Sequence, residues 1–189
     1  LRIQRKLFRA TQKELTRSEY LRLLHAAHLY HRERIALLME AICATGIRVS
    51  EVQFLTVEAA RTGRAEVSLK GKTRVILIPG SLRKKLLVYA KQNKTTSGAI
   101  FRTRNGSPIS RKQIWAEMKS LCQKAGVAPT KVFPHNLRHL FARVYYNQYH
   151  DVAKLADVLG HSSLDTTRIY LISTGQEHQR QLERLGLVS

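Results

Sequence analysis

Acidic residues are scarce in this chain, with 13 Asp and Glu against 33 Lys and Arg in 189 residues, a formal charge of +20. So few carboxylates leave little from which to build a Mg²⁺-dependent nuclease site. The basic excess favours a polyanionic partner, nucleic acid first and an acidic membrane second. The basic residues are spread along the sequence and not gathered into a tail. Long apolar runs are also missing. The longest candidate, "IALLMEAICATGI", is interrupted by Glu40 and stops at Gly46, which argues against a membrane span. The first residues, "LRIQRKLFRATQKE", have neither an apolar core nor a small-residue cleavage site, so they do not read as a signal peptide. The two cysteines, Cys43 and Cys122, sit among apolar neighbours and read as reduced core residues of a cytosolic protein. Ten Gly and four Pro are ordinary for a folded chain, and 43% hydrophobic residues suffice for one domain with a core.

What is present reads as mostly helix. Residues 1–14 are basic and lack a period. Thr16 and Glu19 form a capping-box signature, with Leu15 placed to staple onto Tyr20. A second helix is expected over about 31–44, with Ile35, Leu38 and Ile42 on one face and Gly46 as its left-handed end. "RVSEVQFL" (48–55) predicts a short helix. β-branched residues around a Lys-Gly-Lys turn predict a hairpin over about 64–78. A basic helix is expected from Ser81 to about Lys91, and "GAIFRT" reads as a short strand. Ser110 and Gln113 signal another capping box, opening a helix that buries Ile114, Met118, Leu121 and Cys122 and ends at Gly126. Helices follow at about 136–148 and from Asp151 to Gly160. A further start lies at Ser162 and Asp165, and a last helix runs over about 175–185. The expected class is mostly α with a small antiparallel β-sheet (α+β).

Several familiar sites fail on inspection. Gly71-Lys72-Thr73 resembles the end of a P-loop, but Glu66 stands where its first glycine belongs. His135 and His139 have the spacing of a zinc-hydrolase helix, but Asn136 stands where the glutamate is needed. His25, His28 and His31 recur every third residue and read as an exposed helix surface more readily than as a metal site.

The remaining polar residues suit a phosphodiester. Cleaving one needs cations on the nonbridging oxygens, a nucleophile and a proton for the leaving oxygen. Arg48 follows a glycine-terminated helix. His135 and Arg138 stand three apart at a helix start, a spacing that shares a face. His161 follows Gly160, and Lys70 and Lys72 flank the hairpin turn. Two arginines can clamp a phosphate without metal. A tyrosine hydroxyl titrates near about 10 and can attack when cations lower that value and a histidine takes its proton. Singly, each residue has a plain alternative: Arg48 could pair with Glu51, His135 could cap, His161 could be a satisfied buried histidine, and Tyr170 could be core.

Taken in order, "TGIRVSE", "LKGKTR", "HNLRH" and "LGHSSLDTTRIY" resemble the boxes of the tyrosine recombinase (phage integrase) family. The resemblance spans about Leu15 to Leu187, and its pattern is nearest to the conjugative-transposon and phage integrases. It implies the catalytic-domain fold of that family and site-specific recombination of double-stranded DNA without metal, nucleotide or other cofactor. Tyr170 would form a 3′-phosphotyrosyl bond and release a 5′-hydroxyl. Arg48 and Arg138 would hold the phosphate, and His135 and His161 would support proton transfer. A hairpin lysine would be the general acid, Lys70 in the first instance with Lys72 open. His139 would be structural.

The resemblance also implies a domain plan. Residues 1–14 would be the remnant of an interdomain linker and 15–189 the catalytic domain. The core-binding domain that completes the clamp around DNA would be absent, leaving the isolated piece a weak DNA binder. The helix at about 175–185 would dock onto a neighbouring subunit in a tetramer on DNA, with a monomer expected off DNA. The setting would be the bacterial cytoplasm, at the nucleoid during reaction. Two other readings use the same residues: a type IB topoisomerase-like relaxing enzyme, and a catalytically silent basic DNA-binding protein.

Overall fold

In a computed structural model the chain is described over residues 14–69 and 71–161, together with Leu164, Thr167 and Arg184. The expected helix start at Thr16 is a reciprocal capping box. Thr16 Oγ1 accepts from the Glu19 N–H at 3.2 Å, and Glu19 Oε2 accepts from the Thr16 N–H at 2.9 Å. It opens α1 (Arg17–Leu29), which buries Leu23, Leu24, Ala26 and Ala27. In α2 (Glu33–Thr45), Ile35, Leu38, Met39 and Ile42 are fully enclosed. This helix packs against α1 and against two later helices, α4 (Gly80–Gln92) and α7 (Pro134–Tyr149), so it forms the spine of the core. Gly46 ends it with φ +64°. The short helix expected at 48–55 is a 3-10 helix, Val49–Phe54.

Helix α3 (Val57–Thr62) had no sequence expectation. Thr56 caps it by accepting from the Ala59 N–H at 3.0 Å. The hairpin follows as β1 (Arg64–Leu69) and β2 (Lys72–Leu77), antiparallel with Leu69 opposite Lys72. Ala65, Val67 and Ile76 point into the core, while Val75 and Leu77 are exposed, as the period of two requires. "GAIFRT" is not a strand. It makes only single-residue bridges, Thr56 with Ala99 and Arg102 with Pro108. Its apolar character reflects burial of Ile100 and Phe101 at 1% exposure. The Ile100 N–H bonds the Leu55 carbonyl and the Gly98 carbonyl takes the Val57 N–H, so a loop lies where a strand was expected.

Ser110 caps α5 (Arg111–Ser120) by accepting from the Gln113 N–H at 3.1 Å. The Gln113 side chain donates to Glu117 at 3.3 Å, so the reciprocal arm of the expected box is absent. The helix breaks at Leu121 and resumes as α6 (Cys122–Ala125), ending at Gly126. Pro134 occupies the first turn of α7, where a missing N–H costs nothing. Asp151 caps α8 (Val152–Leu159), which ends at Gly160 with φ +63°. Ala142, Leu155 and Leu159 form a small second core with Phe141, Tyr145 and Tyr146 at the α7–α8 junction. The described residues are thus mostly helical with one two-stranded antiparallel sheet, as expected. Expectations for residues 1–13, for Lys70, for the start at Ser162, for Tyr170 and for the helix near 175–185 fall outside the described residues.

Gly46 joins this core to the site. A Cβ there would lie 2.5 Å from the Phe141 ring and 3.0 Å from Leu159, on a backbone that side chains rarely adopt. We expect Gly46→Ala to destabilise the fold by roughly 1–3 kcal/mol. Thermal unfolding checks it, and an unchanged midpoint would contradict the packing described.

Candidate active site

Arg48 leaves α2 just after the left-handed Gly46 and sits at the N-terminal edge of the 3-10 helix. Its backbone N–H donates to Glu51 Oε2 at 2.7 Å and its Nη1 to Glu51 Oε1 at 2.9 Å. Its Nη2 donates to the Gly160 carbonyl at 3.2 Å. The ion pair with Glu51 expected as a plain alternative therefore exists. It fixes the guanidinium without hiding it, since the side chain remains 41% exposed.

Arg138 comes from the first turns of α7 and is 2% exposed. It donates to the carbonyls of Gly46 and of Leu159, the latter at 2.8 Å. Both acceptors are the last carbonyls of terminating helices, which lack partners within their own helix. One guanidinium therefore ties the ends of α2 and α8 together. The shared face expected for His135 and Arg138 divides in the structure, with His135 exposed and Arg138 enclosed.

His161 follows Gly160 and completes the group. Its Nε2 lies 2.9 Å from Arg138 Nη2, and its Nδ1 lies 2.8 Å from Thr167 Oγ1. A guanidinium can only donate, so Nε2 accepts and the ring proton sits on Nδ1, donated to the buried Thr167 hydroxyl. Burial pushes the imidazole down to about 4, assisted by the charges of Arg138, Arg48, Arg74 and His135. His139 packs edge-on against His135, ring centroids 4.5 Å apart, and is 3% exposed.

Sequence reasoning missed Arg74. It lies on the inward face of β2, opposite Val67, where the neighbouring inward positions are apolar. Its Nε and Nη2 donate to Glu51 at 3.2 and 2.5 Å, and its Nη1 to the Val158 carbonyl at 3.0 Å. The available signal was a charged residue in the inward phase of a period-two strand. Burial raises the Glu51 carboxyl, but the bonds from Arg74 and Arg48 outweigh it and hold the group below the usual carboxylate range.

The structure thus brings together Arg48, Arg138 and His161, while His135, packed against His139, bears on His161 through its charge. Lys70 and Tyr170 lie outside the described residues, and Lys72 is described in its backbone only. His25, His28 and His31 are exposed, with His28 paired to Glu33 at 2.9 Å. No group of three His, Cys, Asp or Glu residues able to hold a metal ion occurs among the described residues. What the arrangement can do is hold a phosphate between two fixed guanidinium groups, next to a neutral imidazole.

The tautomer is testable. With a folded value near 4 against an ordinary 6.5, His161 binds its proton more readily in the unfolded chain. Its contribution to stability is complete above about pH 6.5 and is lost progressively as pH falls toward 4. We expect ¹⁵N NMR to show a neutral, Nδ1-protonated ring at pH 6, and a titration midpoint near 6.5 would refute the assignment.

Comparison with known proteins identifies the relatives of this chain. The model of the phage integrase family matches residues 13–177. The chain is 32% identical over 164 residues to the tyrosine recombinase XerA of Pyrococcus furiosus, covering 83% of this chain and 56% of that protein. It is 34% identical over 191 residues to XerD of Xanthomonas axonopodis pv. citri, covering 91% and 62%. The chain therefore spans a little over half the length of these relatives. Among solved structures, XerA recombinase superposes with a TM-score of 0.75 at 24% identity, covering 93% of this chain and 64% of that one. The XerH recombinase bound to its difH substrate superposes at 0.71 with 25% identity, covering 89% and 52%. On the strength of the family model, which matches most of its length, the chain belongs to the phage integrase family.

Proposed function

We propose that this chain is the catalytic part of a site-specific recombinase acting on double-stranded DNA. The observation that carries the reading is the meeting of Arg48, Arg138 and His161, from three distant segments, around the carbonyls of Leu159 and Gly160. Two guanidinium groups there stabilise the charge that develops on the nonbridging oxygens. The Tyr170 hydroxyl attacks the scissile phosphorus and the bond to the 5′-oxygen breaks. A hairpin lysine, Lys70 or Lys72, gives its proton to that oxygen. When Arg138 turns from His161 Nε2 to the phosphate, that nitrogen accepts the tyrosine proton in its place. The phosphotyrosyl ester keeps the free energy of the broken bond, so a second 5′-hydroxyl reseals the strand without ATP. His135, beside the same site, supports proton movement and phosphate binding.

Recombination is favoured over supercoil relaxation because the relatives are named recombinases and the XerH site-specific recombinase structure holds its difH substrate. Strand exchange brings copies together, so we place a tetramer on DNA and a monomer off it. The segment near 175–185 would dock on a neighbouring copy. A groove of about 550 Å³ between α1, α2, α4 and α7, walled by Tyr20, Leu82, Leu140, Phe141 and Val144, matches in character the leucines at 182, 185 and 187. No helix among the described residues is long and apolar enough to cross a membrane. With DNA as partner, the setting is the bacterial cytoplasm.

Covalent trapping tests the reading. The protein is incubated with nicked suicide duplexes carrying candidate sites, in the presence of a chelator, and run on a denaturing gel. We expect a protein–DNA band that disappears in Tyr170→Phe. A band that survives this substitution, or none across a broad site library, would sink the proposal and favour a silent DNA-binding protein.

A further inference from the structure

We propose that Arg74 is a positioning residue that locks the β-hairpin, and with it the general-acid lysine, onto the phosphate-binding end of the site. The inference rests on the recombinase reading above and names a part of its machinery.

Three observations converge on it. First, Arg74 breaks the apolar inner face of the hairpin, where Ala65, Val67 and Ile76 are all buried. A charge at such a position is costly unless it is paired and hydrogen-bonded. Second, three of its nitrogens are committed to the site. Nε and Nη2 hold both oxygens of Glu51, and Nη1 holds the Val158 carbonyl in the last turn of α8. Glu51 in turn grips the backbone and side chain of Arg48. Third, the stem of Arg74 fills the space over Gly160. A Cβ there would lie 2.5 Å from Arg74 Cδ, on a backbone at φ +63°. The glycine before His161 thus admits both the left-handed turn and the arginine laid across it.

Arg74 therefore touches the residue that orients Arg48 and the turn that carries the Leu159 carbonyl and His161. With its nitrogens engaged, it is not arranged as a third phosphate clamp. It stands on β2 two residues after Lys72 and four after Lys70. A strand anchored at Arg74 fixes the adjoining turn relative to Arg48 and Arg138. A general acid must be within hydrogen-bond reach of the leaving oxygen, and a small misplacement of such a group is expensive in rate.

The test separates alignment of the acid from general damage. In a substrate with sulfur in place of the bridging 5′-oxygen, the leaving group departs as a thiolate and needs no proton. Single-turnover covalent cleavage is measured on the oxygen and sulfur duplexes for wild type, Arg74→Ala, Arg74→Lys, Lys70→Ala and Lys72→Ala. Wild-type adduct on the oxygen duplex upholds the recombinase reading, and its absence from both duplexes overturns that reading and this proposal together. Given that adduct, we expect Arg74→Ala to slow oxygen cleavage about 100-fold and to recover to within about 10-fold of wild type on sulfur. Arg74→Lys, which keeps the charge and loses the fork, should fall between. The double variant of Arg74→Ala with the rescued lysine variant should be no slower on oxygen than the lysine variant alone. A defect equal on both duplexes in Arg74→Ala and Arg74→Lys, or wild-type rates on both, would overturn the positioning role. If Arg74→Ala does not fold, as judged by its thermal unfolding, the oxygen-to-sulfur ratio of Arg74→Lys decides alone.

Discussion

The site depends on one buried carboxylate. Glu51 is 2% exposed and is the only buried acid among the described residues. A carboxylate taken out of water is costly, and removing one partner from such a buried group typically destabilises by about 3–5 kcal/mol. Here both oxygens are engaged by Arg48 and Arg74, and the Arg48 N–H adds a fourth bond. The ionised form is therefore held, and its contribution to stability is present above the ordinary carboxylate value of 4.5 and lost as pH falls through the lower folded one. Because both oxygens have directional partners, Glu51 fixes the distance between the end of α2 and the second hairpin strand. The geometry of the phosphate clamp follows from that distance.

A second consequence concerns the charge of +20. Many arginines here serve backbone carbonyls. Arg22 bonds the carbonyls of Ala125 and Gly126 at the end of α6. Arg83 closes the end of α3 through Ala60 and Arg61. Arg102 stitches its own loop through Ala99 and Ser97, and Arg34 holds the Arg102 carbonyl and Glu117. Arg143 binds Glu14 and the Leu15 carbonyl. Helix ends leave carbonyls without intrahelical partners, and a guanidinium fork suits them. Part of what composition presents as a nucleic-acid footprint is thus helix-end chemistry. Lys84, Lys91, Arg104, Arg111 and Lys112 are exposed and are the basic residues that the proposed function would turn to phosphate contact.

How much of this was legible follows from the range of the forces involved. The Thr16 box, the glycine ends of α2 and α8 and the alternation of the hairpin are local, and the sequence carries them. Helix α3 was missed because its six residues are too few to show a period, although Thr56 carried a capping signal. "GAIFRT" misled because burial alone makes a segment look like a strand, whereas a strand also needs a neighbour of matching length. Arg48, Arg138 and His161 were recognisable from their boxes, and the structure brings the three together. The burial of Arg138 was not legible, since it depends on the ends of two helices 113 residues apart in sequence meeting over one side chain. Arg74 was invisible for the same reason: its partners, Glu51 and Val158, lie 23 residues before it and 84 after it.

The partners also differ in what they do to charge. Arg48 and Arg74 share the single charge of Glu51, whereas the described partners of Arg138 are backbone carbonyls and a neutral imidazole. Among the described residues, three guanidinium groups less one carboxylate leave two positive charges around Gly160. His161, held neutral by burial and by those charges, adds none until it takes the tyrosine proton. A phosphodiester carries one negative charge and gains a second as a tyrosinate adds to it. A fixed excess of two is therefore better matched to the transition state of the proposed reaction than to the bound substrate, which is the condition for binding energy to accelerate a chemical step. Since the cations are pinned by carbonyls and by Glu51, the reorganisation needed when that charge appears is confined to the turn of Arg138 from His161 to the phosphate. The same rigidity that makes the fold depend on Glu51 supplies the preorganised field that the chemistry requires.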